Sequence, residues 1–351
     1  MKNWPRATFR HFHSSFLIPH SSFKKEMSVL VVVECADGEV KKSSLEVATY
    51  GAKVAAMLGT TATAVAVGEA NPANLAKLGE QGITKVLHDA EPRLKDFVNN
   101  AYTKLIATAV EQENAQVIIL ANSNIGAAVG SRLSVRLKAS LATNVVELPK
   151  IDGGTFMVKR GAFSGKAFAE VAMSGERKII AVKKNSAEAQ HEAGKTAEVV
   201  AFAAQLTDND FADAPKQVVM QDQAGGILLP EADLVVSGGR GMKGPENWHL
   251  IEDLANALHA ATACSKPVSD VDWRPHHEHV GQTGITVSPN LYIACGISGA
   301  IQHLAGVNSS KVIVVINKDP EAPFFKAADY GIVGDVFDVL PKLTAAVKAL
   351  G

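Results

Sequence analysis

The sequence predicts an α/β fold with two domains, each built on a mostly parallel sheet covered by helices. Three observations carry this prediction. The chain has 351 residues, which is long for a single domain. It is 47% hydrophobic but only 6% aromatic, with alanine and valine prominent, as is typical of parallel sheets packed between helices. Short β-branched runs bounded by Gly, Asn or Ser alternate with segments of helical periodicity.

The first domain is predicted to span residues 27–210. Apolar runs indicate buried strands at 29–33, 61–67, 85–87 and 117–120. Helical spacing indicates helices at 45–56, from Asn71-Pro72 onward, in a long segment containing Phe97, Tyr102, Leu105 and Ile106, and at 125–139. This alternation predicts a parallel sheet with helices on both faces.

Residues 144–183 have a different texture. Strand-like runs occur at 145–148, 155–159, 167–171 and 178–182, with turns at Gly153-Gly154 and Ser174-Gly175. They predict an antiparallel extension of the first sheet. The polar, mixed residues 185–228 are predicted to form the region between the domains. The second domain is predicted at 211–351, with residues 234–236 in its first strand.

The second domain carries the strongest ligand-site signal. Leu291–Cys295 and residues 311–316 read as buried strands. The first is followed by the small-residue turn 296–300 and then by a helix start, where close backbone approach and free amides favour an anion. Asn317 and Asp335 follow the later apolar runs. Because open α/β sheets bind ligands beyond the carboxyl ends of their strands, we expect a site at this edge.

Composition restricts the other classes. The formal net charge of −1 gives no reason to expect nucleic acid or an anionic membrane as partner. No apolar run is long enough to span a bilayer. Three cysteines, Cys35, Cys264 and Cys295, lie far apart, which indicates reduced thiols. No P-loop, Ser-His-Asp arrangement or paired-carboxylate site is evident in the sequence.

The first 26 residues form a basic leader with a single acid, Glu26. It contains prolines and lacks a clear amphipathic helix, so we interpret it as a disordered or non-native extension before Met27. The alternative is an organelle transit peptide. The expected location is therefore the bacterial cytoplasm, or the mitochondrial matrix if residues 1–26 are such a peptide.

The motifs GQTG, CGISGAIQHLAG, VINKDPEAP and ADYGIVGD, together with SGGRG at 237–241, closely resemble the C-terminal half of electron transfer flavoprotein α subunits. The resemblance is specific across 230–351 and looser from 28 to 230. It implies Rossmann-like domains, FAD in the second one, and a β subunit bound to form a heterodimer. It also implies an electron carrier rather than an enzyme, taking electrons from acyl-CoA or other dehydrogenases to a quinone-linked oxidoreductase.

The same resemblance implies a set of residues that bind the cofactor: Arg240, Ser265, Lys266, Gln282, Thr283, Ser298, Gly299, Ala300, Ile301, Gln302, His303, Asn317 and Asp335. It places Arg240 at the phosphates, Thr283 at flavin N5 and His303 near flavin O2. Asn317 and Asp335 would hold the adenosine half, although Asp335 is equally plausible as the N-cap of a final helix.

One of these positions departs from the family pattern. Lys266 stands where the family has an arginine over the flavin ring. Lysine keeps the positive charge but loses the planar fork and its stacking, so the redox potential does not carry over from the resemblance.

Other readings of the cofactor chemistry stay open in the sequence. Residues 239–244 match G-x-G-x-x-G, but a nicotinamide fold also needs an acid after a second strand, and residues 264–270 make a poor central strand with only Asp270 available. An electron-bifurcating form that uses NADH would differ in the β subunit's sequence. A colourless nucleotide-binding or interaction protein of similar fold is a further alternative, which the absorbance of the purified protein would separate.

Two polar clusters have competing interpretations. His276, His277 and His279 invite a metal reading, but the sequence shows no second His or Cys cluster, so no metal is predicted. Residues 121–126 follow a strand and open a helix. They could bind an anion, or they could form a polar loop with an N-cap.

Overall fold

The structure is a computed structural model that describes residues 28–163, 167–215 and 228–350. The predicted leader, 1–26, lies outside these residues. Within them, no helix is both long and apolar enough to cross a membrane. The chain forms an α/β structure with one large mixed sheet and a second, parallel sheet, which confirms the predicted fold class. The division into domains at residue 210 stays a prediction.

The first sheet has eleven strands in the order β11-β4-β3-β1-β5-β10-β6-β8-β7, with β2 beside β1 and β9 beside β8. The strands are β1 (Ser28–Ala36), β2 (Glu39–Val40), β3 (Ala62–Val67), β4 (Ile83–His88), β5 (Ala115–Ala121), β6 (Ser140–Val145), β7 (Lys150–Asp152), β8 (Thr155–Ala162), β9 (Ala167–Ala172), β10 (Lys178–Val182) and β11 (Glu198–Ala201). Strands β11 to β6 in this order run parallel, and β7, β8 and β9 add antiparallel pairs.

Helices cover both faces of this sheet. They are α1 (Lys42–Leu58), α2 (Pro72–Ala76), α3 (Asn99–Gln112) and α4 (Asn124–Arg136). The side chains of β1 explain why its sequence is continuously apolar. Val31 and Val33 belong to the hydrophobic core on one face, while Leu30 and Val32 belong to the core on the other. A strand buried on both faces has no polar positions to alternate with.

The second sheet is parallel throughout, in the order β14-β13-β12-β15-β16-β17. Its strands are β12 (Leu234–Gly238), β13 (Ala261–Ser265), β14 (His279–Val280), β15 (Leu291–Cys295), β16 (Val312–Asn317) and β17 (Tyr330–Val333). Its helices are α5 (His249–Leu258), α6 (Lys266–Ser269), α7 (Ile301–Val307) and α8 (Val336–Leu350). All strands of this sheet present their carboxyl ends at one edge.

Two sequence predictions about strands were wrong. Strand β10 is not part of an antiparallel extension, because it lies between β5 and β6 and is parallel to both. Strand β11 falls inside the residues predicted to link the domains. It pairs with β4 at the sheet edge, and a four-residue strand in a polar segment gives little signal before that pairing is known.

One helix prediction also needs correction. Phe97 lies before α3 rather than in it, although its ring packs against Tyr102 with centroids 5.1 Å apart. The free cysteines are all buried among the described residues, as expected for reduced thiols.

The two sheets contact each other through polar groups. The Lys42 ammonium pairs with the Asp233 carboxylate, and Lys184 Nζ donates to the Pro230 carbonyl oxygen at 3.1 Å. A cavity of about 840 Å³ lies between the sheets, beside the carboxyl ends of β1, β5 and β10.

Candidate cofactor site

A second cavity, of about 560 Å³, lies at the carboxyl edge of the second sheet. Its walls are the segments that follow five neighbouring strands, together with the first turn of α7. Because these strands are parallel, residues distant in sequence meet there. The volume falls in the range of small-molecule sites, and the position is the one where open α/β sheets bind ligands.

Ten of the thirteen predicted cofactor residues line this cavity: Arg240, Ser265, Lys266, Gln282, Thr283, Ser298, Ala300, Gln302, His303 and Asn317. Their convergence is a structural fact, and their contact with a cofactor stays a prediction. The other three lie outside the lining. Ile301 is 60% exposed at the start of α7. Gly299 has a left-handed backbone (φ +81°) that packs against Phe324.

Asp335, the third residue outside the lining, caps helix α8. Its Oδ1 accepts a hydrogen bond from the backbone N–H of Phe337 at 3.1 Å, and its carbonyl accepts from Val339 at 3.0 Å. Lys243 Nζ lies 3.9 Å from its other carboxylate oxygen. The observed geometry is therefore that of an N-cap, one of the two roles the sequence left open.

Sequence reasoning missed the other lining residues: Gly241, Pro267, His279, Val280, Gly281, Gly296, Ile297, Asp319, Ala322 and Pro323. Most lie within three positions of a predicted residue, on the same turns. The glycine pattern and the apolar character of those turns could have identified them from the sequence. His279 is the exception, since its cluster of histidines directed attention to a metal.

Two glycines allow the backbone to form a wall of the cavity. A Cβ atom on Gly241 would lie 2.6 Å from the Gly296 Cα atom, and Gly296 itself has φ +62°. L-residues other than glycine rarely adopt that conformation. The backbones of the turns after β12 and β15 are therefore too close together for a side chain to lie between them, and both turns line the cavity.

His303 is buried on α7, not exposed. Its Nε2 lies 3.0 Å from the hydroxyl of Tyr292, which is wholly buried in β15. Its Nδ1 is also enclosed. Burial lowers the pKa of His303 to about 4. A hydrogen bond with the Val280 backbone opposes this, and His279 adds a smaller effect in the same direction as burial. The imidazole is thus neutral at pH 7.

Cations lie at the rim and apolar groups line the floor. Arg240 and Lys266 are exposed, and Lys266 Nζ lies 3.3 Å from the Asp270 carboxylate. Val280 and Ile297 are buried beneath. A flavin dinucleotide fits this donor set, because its ring system needs an apolar surface and its pyrophosphate needs cations and backbone amides. Glycine-lined walls also fit a bound molecule, because they let it approach the backbone closely.

The structure argues against a nicotinamide-binding site, because of where strand β13 ends. Strand β13 ends at Ser265, and helix α6 begins at Lys266 with Pro267 in its first turn. The residues at the carboxyl end of this strand are Ser265 and Lys266, so no acid stands where a nicotinamide ribose needs one. Asp270 lies beyond α6. Within the described parts of the chain, no group of three potential ligands is arranged to hold a metal.

A parallel sheet with this cavity at its carboxyl edge defines a dinucleotide-binding α/β protein. The family model described as "Electron transfer flavoprotein domain" matches residues 29–207, and the "Electron transfer flavoprotein FAD-binding domain" matches residues 228–308. The chain therefore belongs to the electron transfer flavoprotein family, on the α-subunit side, and its cofactor is FAD.

Curated relatives agree over nearly their whole length. The electron transfer flavoprotein subunit alpha of Bacillus subtilis (strain 168) is 36% identical over 323 residues, covering 92% of this chain and 98% of that protein. The subunit alpha of Mycobacterium tuberculosis is 38% identical, with 92% and 98% covered. Protein FixB of Clostridium saccharobutylicum is 36% identical, with 92% and 96% covered. The members of this family are electron carriers rather than enzymes.

Proposed function

We propose that this chain is the FAD-carrying α subunit of a heterodimer that takes electrons from flavoprotein dehydrogenases of the acyl-CoA type and passes them to a quinone-linked acceptor. The observation that carries the proposal is the convergence of ten predicted cofactor residues on one cavity of dinucleotide-site character. Relatives named as α subunits support the β partner. Because those relatives are bacterial, we place the protein in the cytoplasm rather than in the mitochondrial matrix.

Bound FAD would accept and release electrons, one or two at a time, and the protein would bind and tune it. The buried apolar side chains of Val280 and Ile297 would exclude water from the part of the cofactor that lies against them. Arg240 lies at the rim, where it can neutralise phosphate charge. Thr283 and Gln282 present hydroxyl and amide groups from a turn that Gly281 allows to run close to the ligand. The chain itself thereby needs no acid, base or nucleophile.

The first sheet is proposed as scaffold and as the surface for the β subunit. Phe163, directly after the antiparallel strand β8, and Phe168, in β9, are 82% and 60% exposed. Exposed aromatic side chains are enriched at protein–protein interfaces. A β subunit that covers them would remove this apolar surface from water.

Co-expression with a β subunit tests the proposal. We expect a yellow heterodimer with one FAD per α chain, reduced by an acyl-CoA dehydrogenase and its substrate and reoxidised by a quinone-linked oxidoreductase. A colourless complex would refute the cofactor assignment for this cavity. Rapid reduction by NADH alone, with a second FAD in the β subunit, would instead identify the bifurcating alternative.

A further inference from the structure

Among the buried residues that line the cavity, His279 is the polar one to which the resemblance gives no role. It is the first residue of β14, pairs with Cys264 of β13 and is only 2% exposed. A histidine at such a position usually has its ring nitrogens hydrogen-bonded within the protein, because an unpaired buried polar group is costly. Here no described residue makes a side-chain hydrogen bond with the ring.

The two ring nitrogens lie in different surroundings. Nδ1 is enclosed, and a Cβ atom added to Gly284 would lie 2.7 Å from it. Nε2 lies on the side of Gly281, where an added Cβ atom would be 3.4 Å away, and Gly281 itself lines the cavity. A buried N–H without a partner is rarer and more costly than a buried acceptor without one. The proton of the neutral ring therefore belongs on Nε2, which makes it a donor on the cavity side.

Burial and the groups around the ring keep it neutral. Burial is the main cause that lowers the pKa of His279, and His276 and Lys266 lower it further, while Asp270 opposes them. The His276 ring lies 5.5 Å away between centroids. The other titratable ring beside it, that of His303, is itself neutral at pH 7. At neutral pH the ring is thus a donor of fixed tautomer rather than a cation.

We propose that His279 is a cofactor-binding residue that donates a hydrogen bond from Nε2–H to an acceptor atom of FAD. The inference rests on the proposed placement of FAD in this cavity. It explains why a polar ring with no internal partner is buried there, between two glycines that leave room for it. The flavin ring, ribityl chain and pyrophosphate all carry acceptor atoms, so the chemical requirement on the ligand side is met.

Three variants of the heterodimer test the inference. His279→Leu removes the donor but keeps an apolar side chain of similar bulk, and His279→Gln keeps a donor that does not titrate. His277→Gln is the matched control, because His277 is exposed and does not line the cavity. Leaving an acceptor of FAD unpaired costs about 1–3 kcal/mol, so the FAD dissociation constant should rise about 5- to 150-fold in His279→Leu. His279→Gln should stay within about threefold of wild type, and the control should be unchanged.

A second measurement does not depend on the variants folding. The imidazole ¹⁵N resonances of His279 in the wild-type heterodimer, assigned through their correlation with the residue's own backbone resonances, should show a proton on Nε2 and should shift when FAD is reduced. An unchanged FAD dissociation constant in His279→Leu, or a ring protonated on Nδ1, overturns the inference. So does an equal loss of FAD and of unfolding temperature in the Leu and Gln variants, which would indicate packing alone. Wild-type protein without FAD would refute the proposed function instead.

Discussion

The polar groups at the carboxyl ends of the parallel strands are arranged differently in the two sheets. At the edge of the first sheet, Ser123 caps helix α4 by accepting from the Gly126 N–H at 2.9 Å, and its hydroxyl donates to the carboxylate of Glu34 at the end of β1. Glu34 is 3% exposed. At the edge of the second sheet, His279 holds an enclosed Nδ1 without a partner among the described residues, beside glycine-lined walls.

The difference shows that cavity size does not decide which edge is the ligand site. The space beside the first sheet is larger, about 840 Å³ against about 560 Å³. There, however, the protein supplies the anion itself, because a carboxylate and a serine hydroxyl take the place that a phosphate would occupy at a helix start. The sequence left residues 121–126 open between an anion site and an N-cap, and the observed geometry is the N-cap.

The largest effect is expected from closing the second edge with a single methyl group. Gly296→Ala must adopt φ near +62° and place Cβ 2.8 Å from the Gly241 Cα atom. The left-handed conformation costs about 1–2 kcal/mol and the overlap about 1–3 kcal/mol. Gly59→Ala in the first unit is the control, with φ +72° and no atom within 4 Å. Urea unfolding and FAD content should show a large loss in the first variant and ~1 kcal/mol without FAD loss in the second. Similar values would contradict the close-approach argument.

A pH effect of similar size is expected from His303. Its pKa is about 4 in the folded protein, against an ordinary value of 6.5, chiefly because burial disfavours the charged ring. Between these values the unfolded chain binds more protons, so this contribution is complete above pH 6.5 and is lost as the pH falls through 4. The full shift corresponds to about 3 kcal/mol. His303→Gln should flatten the pH dependence of urea unfolding over this interval, and an unchanged profile would show that the ring is not desolvated.

The first edge is tested by removing its built-in anion. Glu34→Ala leaves the Ser123 hydroxyl without its acceptor, so the free energy of unfolding should fall by about 1–3 kcal/mol. FAD content should not change, because Glu34 does not line the cofactor cavity. Ser131→Ala is the control. Ser131 is an exposed serine of α4, the helix that Ser123 caps, and its replacement should have little effect. Loss of FAD in Glu34→Ala would break the distinction between the two edges.

The sequence predicts the positions of the buried strands better than it predicts their pairing or the geometry of the cofactor site. Continuous apolar runs such as Leu291–Cys295 were predictable, because a strand buried on both faces has one signature. The pairing of Lys178–Val182 was not, since its parallel place between β5 and β6 depends on long-range contacts. The turns of the cofactor cavity were found through motifs, but the orientation of the His303 ring depends on Tyr292, which the sequence alone does not connect to it.

The smallest effect is expected at Lys266, the position where the resemblance implies an arginine. The sequence allowed a strong influence on FAD reduction, because a cation near the ring favours the added negative charge. In the structure, Lys266 Nζ instead lies 3.3 Å from the Asp270 carboxylate, and the two side chains are 57% and 50% exposed. Water screens such a pair, and its net energy is typically about 0.2–1 kcal/mol.

This geometry predicts opposite signs for the two partners. Lys266→Ala should lower the first reduction potential of FAD, because it removes the cation and leaves Asp270 unopposed. The change should be slight, because water screens both side chains. Asp270→Asn should raise that potential, because the ammonium then acts without its counter-charge, and Lys266→Arg should hold or raise it by stacking as well. Stepwise reductive titration of the heterodimer measures all three. A drop in Lys266→Ala equivalent to several kcal/mol would show that the lysine leaves Asp270 and lies over the flavin when FAD is bound. That outcome would contradict the description of Lys266 as a solvent-screened side chain at the entrance of a cavity whose inner lining is buried.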